Sequence, residues 1–224
     1  MCDRRRVGFL AKMIPTPAKL LDVGCGEGSF MLAAQKAGWD VAGTEINPDR
    51  ARAKGLRVTT EPEGGPYDCI TLWHSLEHLT NPVEMINSLT ELLTADGMIV
   101  LAVPNAQGSQ ATIFGRHWLH LDVPRHLYHF GSKSIEKLLG TSGIQVQRVW
   151  HSEFEYDLFG WAQSALNAIL SPPNILFNCL TGRPHGTTSA KVGVNYLLGG
   201  LFLVCALPFA RGGTLVVAGR KPAG

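Results

Sequence analysis

Gly24, Gly26 and Gly28 alternate with other residues directly after a short apolar segment, Lys19 to Val23. A helix-forming stretch, Phe30 to Ala37, follows at once. Glycines at this spacing remove side chains where a backbone must turn sharply and lie against a ligand. The pattern predicts a ligand-binding turn between a strand and a helix, at the carboxyl end of a parallel sheet.

Two acidic residues accompany this turn. Asp22 lies inside the apolar segment, and Glu45 ends the next apolar run, Val41 to Glu45. A carboxylate at the end of a second strand can accept hydrogen bonds from both hydroxyls of a ribose. The two acids and the glycines together predict a nucleoside-type ligand.

The dinucleotide fingerprint G-x-G-x-x-G is the nearest alternative for this turn. It would require a third glycine at position 29, where the chain has Ser29, whereas Gly28 comes one residue early. A dinucleotide places its pyrophosphate on the N-terminus of the helix. Asp22 and Glu27 favour instead a ligand that has no phosphates and carries a cationic amino-acid end. An NAD-dependent oxidoreductase is therefore the less favoured enzyme class.

The run from Leu21 to Gly28 resembles the first motif of class I S-adenosylmethionine-dependent methyltransferases. The resemblance continues through Tyr67–Ile70 and Ser75–Leu79, and Asp122–Phe130 is similar to a segment of the small-molecule and ubiquinone-type branch. It implies an α/β fold with a doubly wound, seven-stranded Rossmann-like sheet, whose last strand is antiparallel and inserted beside the fifth. It also implies S-adenosylmethionine as the cofactor and S-adenosylhomocysteine as its product.

The resemblance also implies roles for individual residues around the glycine turn. The glycines shape the loop for the amino-acid end of the cofactor, Glu45 holds the ribose and Ile46 flanks the adenine. Glu61 is expected to reach the adenine or to lie in water, and Trp73 to stack on a ligand or to join the core. The residues assigned to the cofactor are Asp22, Gly24, Cys25, Gly26, Glu27, Gly28, Phe30, Glu45, Ile46, Glu61, Trp73, His74 and His78.

Five histidines fall in two short windows: His74 and His78 follow the predicted fourth strand, and His120, His126 and His129 lie further on. Methyl transfer to a hydroxyl benefits from a general base, and histidine titrates near neutral pH. We expect His126 to act as the base or to contact the acceptor, with His78 as the second candidate. The alternative is that these rings only hydrogen-bond loop backbone. The residues assigned to catalysis are His126, His78, His129, Arg125 and Tyr128.

The pattern His74-x-x-Glu77-His78 matches the spacing of one zinc arrangement. Residues at i, i+3 and i+4 share a face if the segment is helical. Some methyltransferases of this superfamily hold a metal here with acids and a histidine, whereas the first position in this chain is His74. We therefore predict no metal, and a structural role for the pair Glu77 and His78.

The composition limits the class of protein. A chain of 224 residues with 45% hydrophobic and 17% charged residues suits one methyltransferase domain over residues 1–224. A net charge of +2 gives no support to a nucleic-acid partner, and Arg4 to Arg6 are expected at a solvated helix start. The five cysteines show neither a C-x-x-C pair nor metal spacing, which is typical of a reducing compartment. We expect a cytoplasmic protein without a secretory signal.

Strands and helices alternate along the chain, which predicts a parallel sheet with both faces covered. Two stretches, 105–131 and 152–213, do not fit this core. They follow the predicted fifth and sixth strands, so both are expected at the carboxyl edge of the sheet. We predict that the first is a substrate-side insertion and that the second is an apolar, helical insertion before the last strand.

The second insertion has long uncharged stretches, 158–182 and 192–210. A full membrane span is not expected, because Pro172 and Pro173 divide the first stretch and a strand of the sheet must follow the second. Three interpretations remain: a lid over an apolar acceptor pocket, a peripheral contact with a membrane surface, or a homodimer interface. The first two favour O-methylation of a small lipophilic acceptor, with N- or C-methylation left open. A module that binds the cofactor without catalysis is the alternative function.

Overall fold

The computed structural model describes residues 2–182, 188–206 and 212–223, so 183–187 and 207–211 of the second insertion lie outside the described residues. The helices are α1 (Cys2–Leu10), α2 (Ser29–Lys36), α3 (Asp49–Arg52), α4 (Pro82–Glu91), α5 (Ser109–Phe114), α6 (Ser132–Thr141), α7 (Phe154–Ile169), α8 (Ile175–Leu180) and α9 (Ser189–Ala206). The strands are β1 (Lys19–Val23), β2 (Asp40–Thr44), β3 (Val58–Thr59), β4 (Tyr67–Trp73), β5 (Leu93–Pro104), β6 (Gln145–Trp150) and β7 (Thr214–Arg220). Short 3-10 turns occur at Leu76–His78, Gly115–His117 and Leu119–Leu121.

The strands form one seven-stranded sheet with the order β3-β2-β1-β4-β5-β7-β6. The first five strands pair in parallel, whereas β7 lies between β5 and β6 and is antiparallel to β6. The doubly wound sheet that the resemblance implies is therefore confirmed. In the observed register, Asp22 of β1 lies beside Gly43 of β2 and Thr71 of β4. The carboxyl ends of these three strands, where the cofactor residues are expected, consequently share one edge.

Helix α2 follows the glycine turn and packs on the sheet through apolar residues of one face. Phe30, Met31 and Ala34 are buried and belong to the same core cluster as Leu20 of β1 and Val41 of β2. Strands β4 and β5 are buried along almost their whole apolar length, as expected for central parallel strands. This packing fixes the end of β1 and the start of α2, and with them the turn between the two.

Contacts within the chain divide it into two compact units. The first unit comprises Met1–Val103, Ser132–Trp150 and Val216–Gly224, and the second comprises Pro104–Gly131 and His151–Leu215. The two stretches that do not fit the sheet-and-helix pattern thus pack with each other.

Helices α7, α8 and α9 belong to the second unit. Helix α9 approaches α8 closely at Gly199, where a Cβ atom would lie 2.5 Å from the Leu176 Cδ2 atom. Val194, Leu197 and Leu201 of α9 are exposed. Among the described residues, none of the helices has both the length and the apolarity required to cross a membrane. The lid, membrane-surface and homodimer interpretations of this insertion remain predictions.

Candidate active site

The glycine turn of the first unit is held by the backbone of the neighbouring strand. The amides of Gly24 and Cys25 both donate to the Thr44 carbonyl, at 2.9 Å each. Gly28 closes the turn by donating to the Cys25 carbonyl at 2.9 Å. Gly24, Gly26 and Gly28 all have positive φ angles, of 74°, 56° and 81°, which glycine adopts without the cost a side chain would add.

The three glycines meet different surroundings. A Cβ atom on Gly24 would lie 2.6 Å from the Ser75 Cβ atom, and one on Gly28 would lie 2.1 Å from the Leu56 Cδ1 atom. A Cβ atom on Gly26 would meet nothing within 4 Å. The outer glycines are therefore needed for packing, whereas Gly26 keeps clear the open space in front of the turn.

Glu45 is fixed beside this open space. Its Oε2 atom accepts a hydrogen bond from the Gly26 amide at 2.8 Å, and its Oε1 atom accepts one from the Ile46 amide at 2.9 Å. A carboxylate oxygen has two lone pairs, so each oxygen can accept a further hydrogen bond from a ligand hydroxyl. The neighbouring Ile46 side chain is 83% exposed. The arrangement can hold a ribose and offers an apolar surface next to it.

Asp22 is almost completely buried beneath the turn. Its Oδ1 atom accepts a hydrogen bond from the Thr71 hydroxyl at 2.7 Å. Burial raises the pKa of Asp22 to about 7, against the opposing effects of this hydrogen bond and of the nearby Arg6 guanidinium. A cationic ligand group would favour the ionised carboxylate, so the side chain is suited to respond to the amino group of a ligand.

Trp73, at the end of β4, has neighbours that the sequence did not indicate. The guanidinium carbon of Arg6 lies 4.5 Å from the centre of the Trp73 ring, and Phe30 packs against the same ring edge-on at 5.5 Å. The expectation of a solvated cluster holds for Arg4 and Arg5, but the Arg6 side chain is only 10% exposed. The spacing of Arg6 from buried Leu10, one helical turn later in α1, is the signal that could have indicated this.

Glu27 and Glu61, two acids assigned to the cofactor, are exposed and contact other residues of the first unit. Glu27 is exposed and its Oε2 atom lies 3.0 Å from the Lys54 Nζ atom; the ammonium beside it holds the pKa of this carboxyl below its usual range. Glu61 is exposed, and its backbone carbonyl accepts a hydrogen bond from the Thr59 hydroxyl at 2.7 Å. Cys25 is buried, and burial raises the pKa of its thiol to about 12.

The histidines after β4 flank or end a 3-10 turn, Leu76–His78, and do not lie on an α-helix. His74 has a positive φ of 54°, and its amide donates to the Ala102 carbonyl at 2.9 Å. The His74 Nδ1 atom lies 3.8 Å from the Oε1 atom of buried Glu77. His78 ends the turn, and the roles of His74, Glu77 and His78 stay predictions.

Four histidines of the second unit lie in the segment 117–129, which we call the histidine segment. The Nδ1 atom of buried His126 lies 2.7 Å from the His120 carbonyl oxygen. Because a carbonyl can only accept, Nδ1 is the donor in this hydrogen bond. The Nε2 atom of His129 lies 3.0 Å from the Leu121 carbonyl oxygen, which fixes the opposite tautomer.

Charged and aromatic neighbours complete this segment. The Asp122 Oδ2 atom accepts a hydrogen bond from Arg125 Nη1 at 2.5 Å and lies 3.9 Å from His126 Nε2. A carboxylate at this distance stabilises the ring once it is protonated. Tyr128 stacks on Phe130 with the ring centres 5.8 Å apart. The segment therefore brings together an imidazole, a carboxylate, a guanidinium and an aromatic surface.

Comparisons with known sequences point to one enzyme class. The family model described as Methyltransferase domain matches residues 2–149. A ubiquinone biosynthesis O-methyltransferase of Methylococcus capsulatus is 26% identical over 197 residues, which is 80% of this chain and 74% of that protein.

Solved structures share the fold. Magnesium protoporphyrin IX methyltransferase from Synechocystis, with bound S-adenosylhomocysteine, has a TM-score of 0.56 at 22% identity, over 66% of this chain and 74% of that one. A putative sarcosine dimethylglycine methyltransferase from Galdieria sulphuraria has a TM-score of 0.64 at 13% identity, over 98% of this chain and 86% of that one.

Proposed function

This chain belongs to the family of methyltransferase domains, and from that premise we propose that it transfers a methyl group from S-adenosylmethionine to a hydroxyl of a small lipophilic acceptor. The single observation that carries the proposal is the Glu45 carboxylate, which the amides of Gly26 and Ile46 fix beside the open space at the glycine turn. This is a receptor for a ribose without a phosphate group. S-adenosylhomocysteine is the expected product.

The residues of the first unit fit this cofactor. Glu45 would hold the ribose hydroxyls and Ile46 would lie against the adenine, because its apolar side chain is exposed. Asp22 would face the amino group, and the Arg6 guanidinium near Trp73 would face the carboxylate of the amino-acid end. When bound, the cofactor supplies an electrophilic methyl group on a sulfonium. We place Glu27 at the exposed edge of the cofactor site, where it forms an ion pair with Lys54.

We assign the proton transfer to His126. The bound cofactor would supply the methyl group, the acceptor hydroxyl would supply the attacking oxygen, and the cofactor sulfur would be the leaving group. The hydroxyl proton passes to His126 Nε2, since Nδ1 is held by the His120 carbonyl. Asp122 stabilises the resulting imidazolium, and Arg125 holds Asp122 in place. Contact with the rest of the acceptor is assigned to Tyr128, His129 and His78.

The acceptor class rests on two observations. The curated relatives are named ubiquinone biosynthesis O-methyltransferases, which supports oxygen as the accepting atom. The second unit exposes apolar side chains along α9, which suits an apolar acceptor. A contact of α9 with a membrane surface and a homodimer through α9 both remain alternatives to a lid within the proposal. Vesicle flotation detects the membrane contact, and light scattering detects the homodimer.

Titration calorimetry with S-adenosylhomocysteine and with NAD tests the cofactor. We expect saturable binding of the first and none of the second, and the reverse result would overturn the proposal. Transfer of a labelled methyl group to a panel of alkylated phenols and catechols then tests the reaction. Failure of every hydroxyl acceptor, in a protein that binds S-adenosylhomocysteine, would favour a cofactor-binding module without catalysis.

A further inference from the structure

Helix α7 contains polar side chains that are buried although most of the helix is apolar. Gln163, Ser164 and Asn167 lie in the middle and last turns of the helix, and all three are buried. A polar group taken out of water costs free energy unless it is hydrogen-bonded. The hydrogen bonds of these side chains therefore show which part of the chain the helix contacts.

Two of these side chains bind the backbone of the histidine segment. The Ser164 hydroxyl oxygen accepts a hydrogen bond from the Leu119 amide at 2.9 Å, in a buried position. The Asn167 Nδ2 group donates to the His117 carbonyl at 3.1 Å. Residues 117 and 119 belong to two successive 3-10 turns, so α7 fixes the backbone where one turn passes into the other.

The same short backbone holds the two histidine rings. The carbonyl of His120 faces His126 Nδ1, and the carbonyl of Leu121 faces His129 Nε2. These carbonyls directly follow the Leu119 amide that Ser164 binds. A shift of the turn would therefore move both carbonyls and weaken the hydrogen bonds that favour one tautomer of each ring.

The Asn167 amide is itself held in one orientation. Its Oδ1 atom accepts from Gln163 Nε2 at 2.9 Å and from the Asn174 amide at 2.8 Å. With the oxygen so engaged, Nδ2 points to the His117 carbonyl and to the Asn174 Oδ1 atom. The hydrogen bonds to Oδ1 therefore fix the direction in which the Asn167 Nδ2 group donates.

We infer that Ser164 and Asn167 are positioning residues, which fix the turn whose carbonyls set the tautomers of His126 and His129. The effect on catalysis rests on the proposed function of His126, whereas the effect on the tautomers does not. The apolar insertion thus supports the base directly, in addition to whatever its exposed face contacts.

Long-range proton–nitrogen correlation spectra of protein labelled with ¹⁵N-histidine test this inference. His126→Gln and His129→Gln identify the two signals. In the unsubstituted protein we expect the Nδ1–H tautomer for His126 and the Nε2–H tautomer for His129. An Nε2–H tautomer at His126 in the unsubstituted protein would overturn the inference before any variant is made.

Ser164→Ala and Asn167→Ala are each expected to give a mixture of tautomers at His126, while Ser164→Thr keeps the hydroxyl and the original tautomer. The matched control is Asn195→Ala, since Asn195 is buried in α9 and its Nδ2 atom donates to the Lys191 carbonyl of its own helix at 2.9 Å. Either alanine variant that folds and keeps the original tautomers at both rings contradicts the inference.

Methyl transfer to an alkylated catechol gives the functional readout. We expect Ser164→Ala to lower kcat by about 10-fold to 100-fold, as for other groups that orient a reacting side chain, with the KM for S-adenosylmethionine unchanged. An unchanged kcat contradicts the catalytic part of the inference. If the unsubstituted protein methylates no hydroxyl, the proposed function fails, and the tautomer spectra still decide the positioning role.

Discussion

The cofactor residues of the first unit and the histidine segment of the second are held by different means. The glycine turn is fixed by backbone hydrogen bonds to Thr44, which follow from the register of β1 and β2. The rings of His126 and His129 are fixed by carbonyls of a 3-10 turn, and that turn by side chains of α7 such as Ser164. The first site therefore depends on sheet geometry and on the absence of side chains, whereas the second depends on individual polar side chains.

The largest effect is expected from His126→Gln. Removal of a general base lowers the rate by about 10²-fold to 10⁴-fold, so methyl transfer should fall in that range while binding of S-adenosylhomocysteine stays unchanged. The rate of labelled methyl transfer measures this. His151→Gln is the control, because His151 is exposed in the same unit. Full activity of His126→Gln would contradict the proposal that the first unit binds the cofactor and the second supplies the base.

The same difference explains what could be predicted from the sequence. Strand runs and the glycine turn are local patterns, so the strands and the turn could be predicted from neighbouring residues, and the family resemblance implied the order of the sheet. The spacing of Arg6 from Leu10 could have indicated that Arg6 is partly buried, but its contact with Trp73 could not be predicted, because Trp73 is distant in sequence. The hydrogen bond of His126 depends on an irregular turn and on Ser164 of α7, which is distant from that turn in sequence, so it could not be predicted from local patterns.

Gly26→Ala tests whether the open space at the glycine turn of the first unit binds the cofactor. A methyl group would stand in the open space that we assign to the cofactor, and overpacking of this kind costs about 3 kcal/mol in binding. Gly143→Ala is the matched control, since Gly143 also has a positive φ, of 75°, and open space around it. Calorimetry should show weak binding of S-adenosylhomocysteine only for Gly26→Ala, with similar losses of stability in both. Equal affinities would place the ligand elsewhere.

Glu45→Ala should have the next effect. The ribose hydroxyls lose their acceptor, which weakens the binding of S-adenosylhomocysteine by about 2 kcal/mol. Glu91→Ala removes an exposed carboxylate at the end of α4 and should leave the affinity unchanged. Unchanged affinity in the Glu45 variant would show that the ribose assignment is wrong.

The smallest effect concerns pH. Burial raises the pKa of Asp22 to about 7, so the ligand-free protein carries a proton there below that pH. If the amino group of the ligand requires the ionised Asp22 carboxylate, the affinity for S-adenosylhomocysteine falls as the pH decreases below 7, by up to about tenfold per pH unit. Above pH 7 the affinity is constant. Calorimetry between pH 5.5 and 8 with Asp22→Asn, which should lose this slope, measures the effect.

Asp157 provides the control in the other unit. Burial raises its pKa to about 6, so it titrates in a similar range. Asp157→Asn should leave the pH dependence of cofactor binding as it is. A slope that disappears in Asp157→Asn and persists in Asp22→Asn would reverse the assignment of the two acids.

Titration of S-adenosylhomocysteine into three proteins under one condition tests the central claim most directly. The account predicts that the unsubstituted chain and His126→Gln bind with equal affinity and that Gly26→Ala binds weakly. The claim is contradicted if His126→Gln loses binding while Gly26→Ala keeps it, or if the unsubstituted chain does not bind S-adenosylhomocysteine.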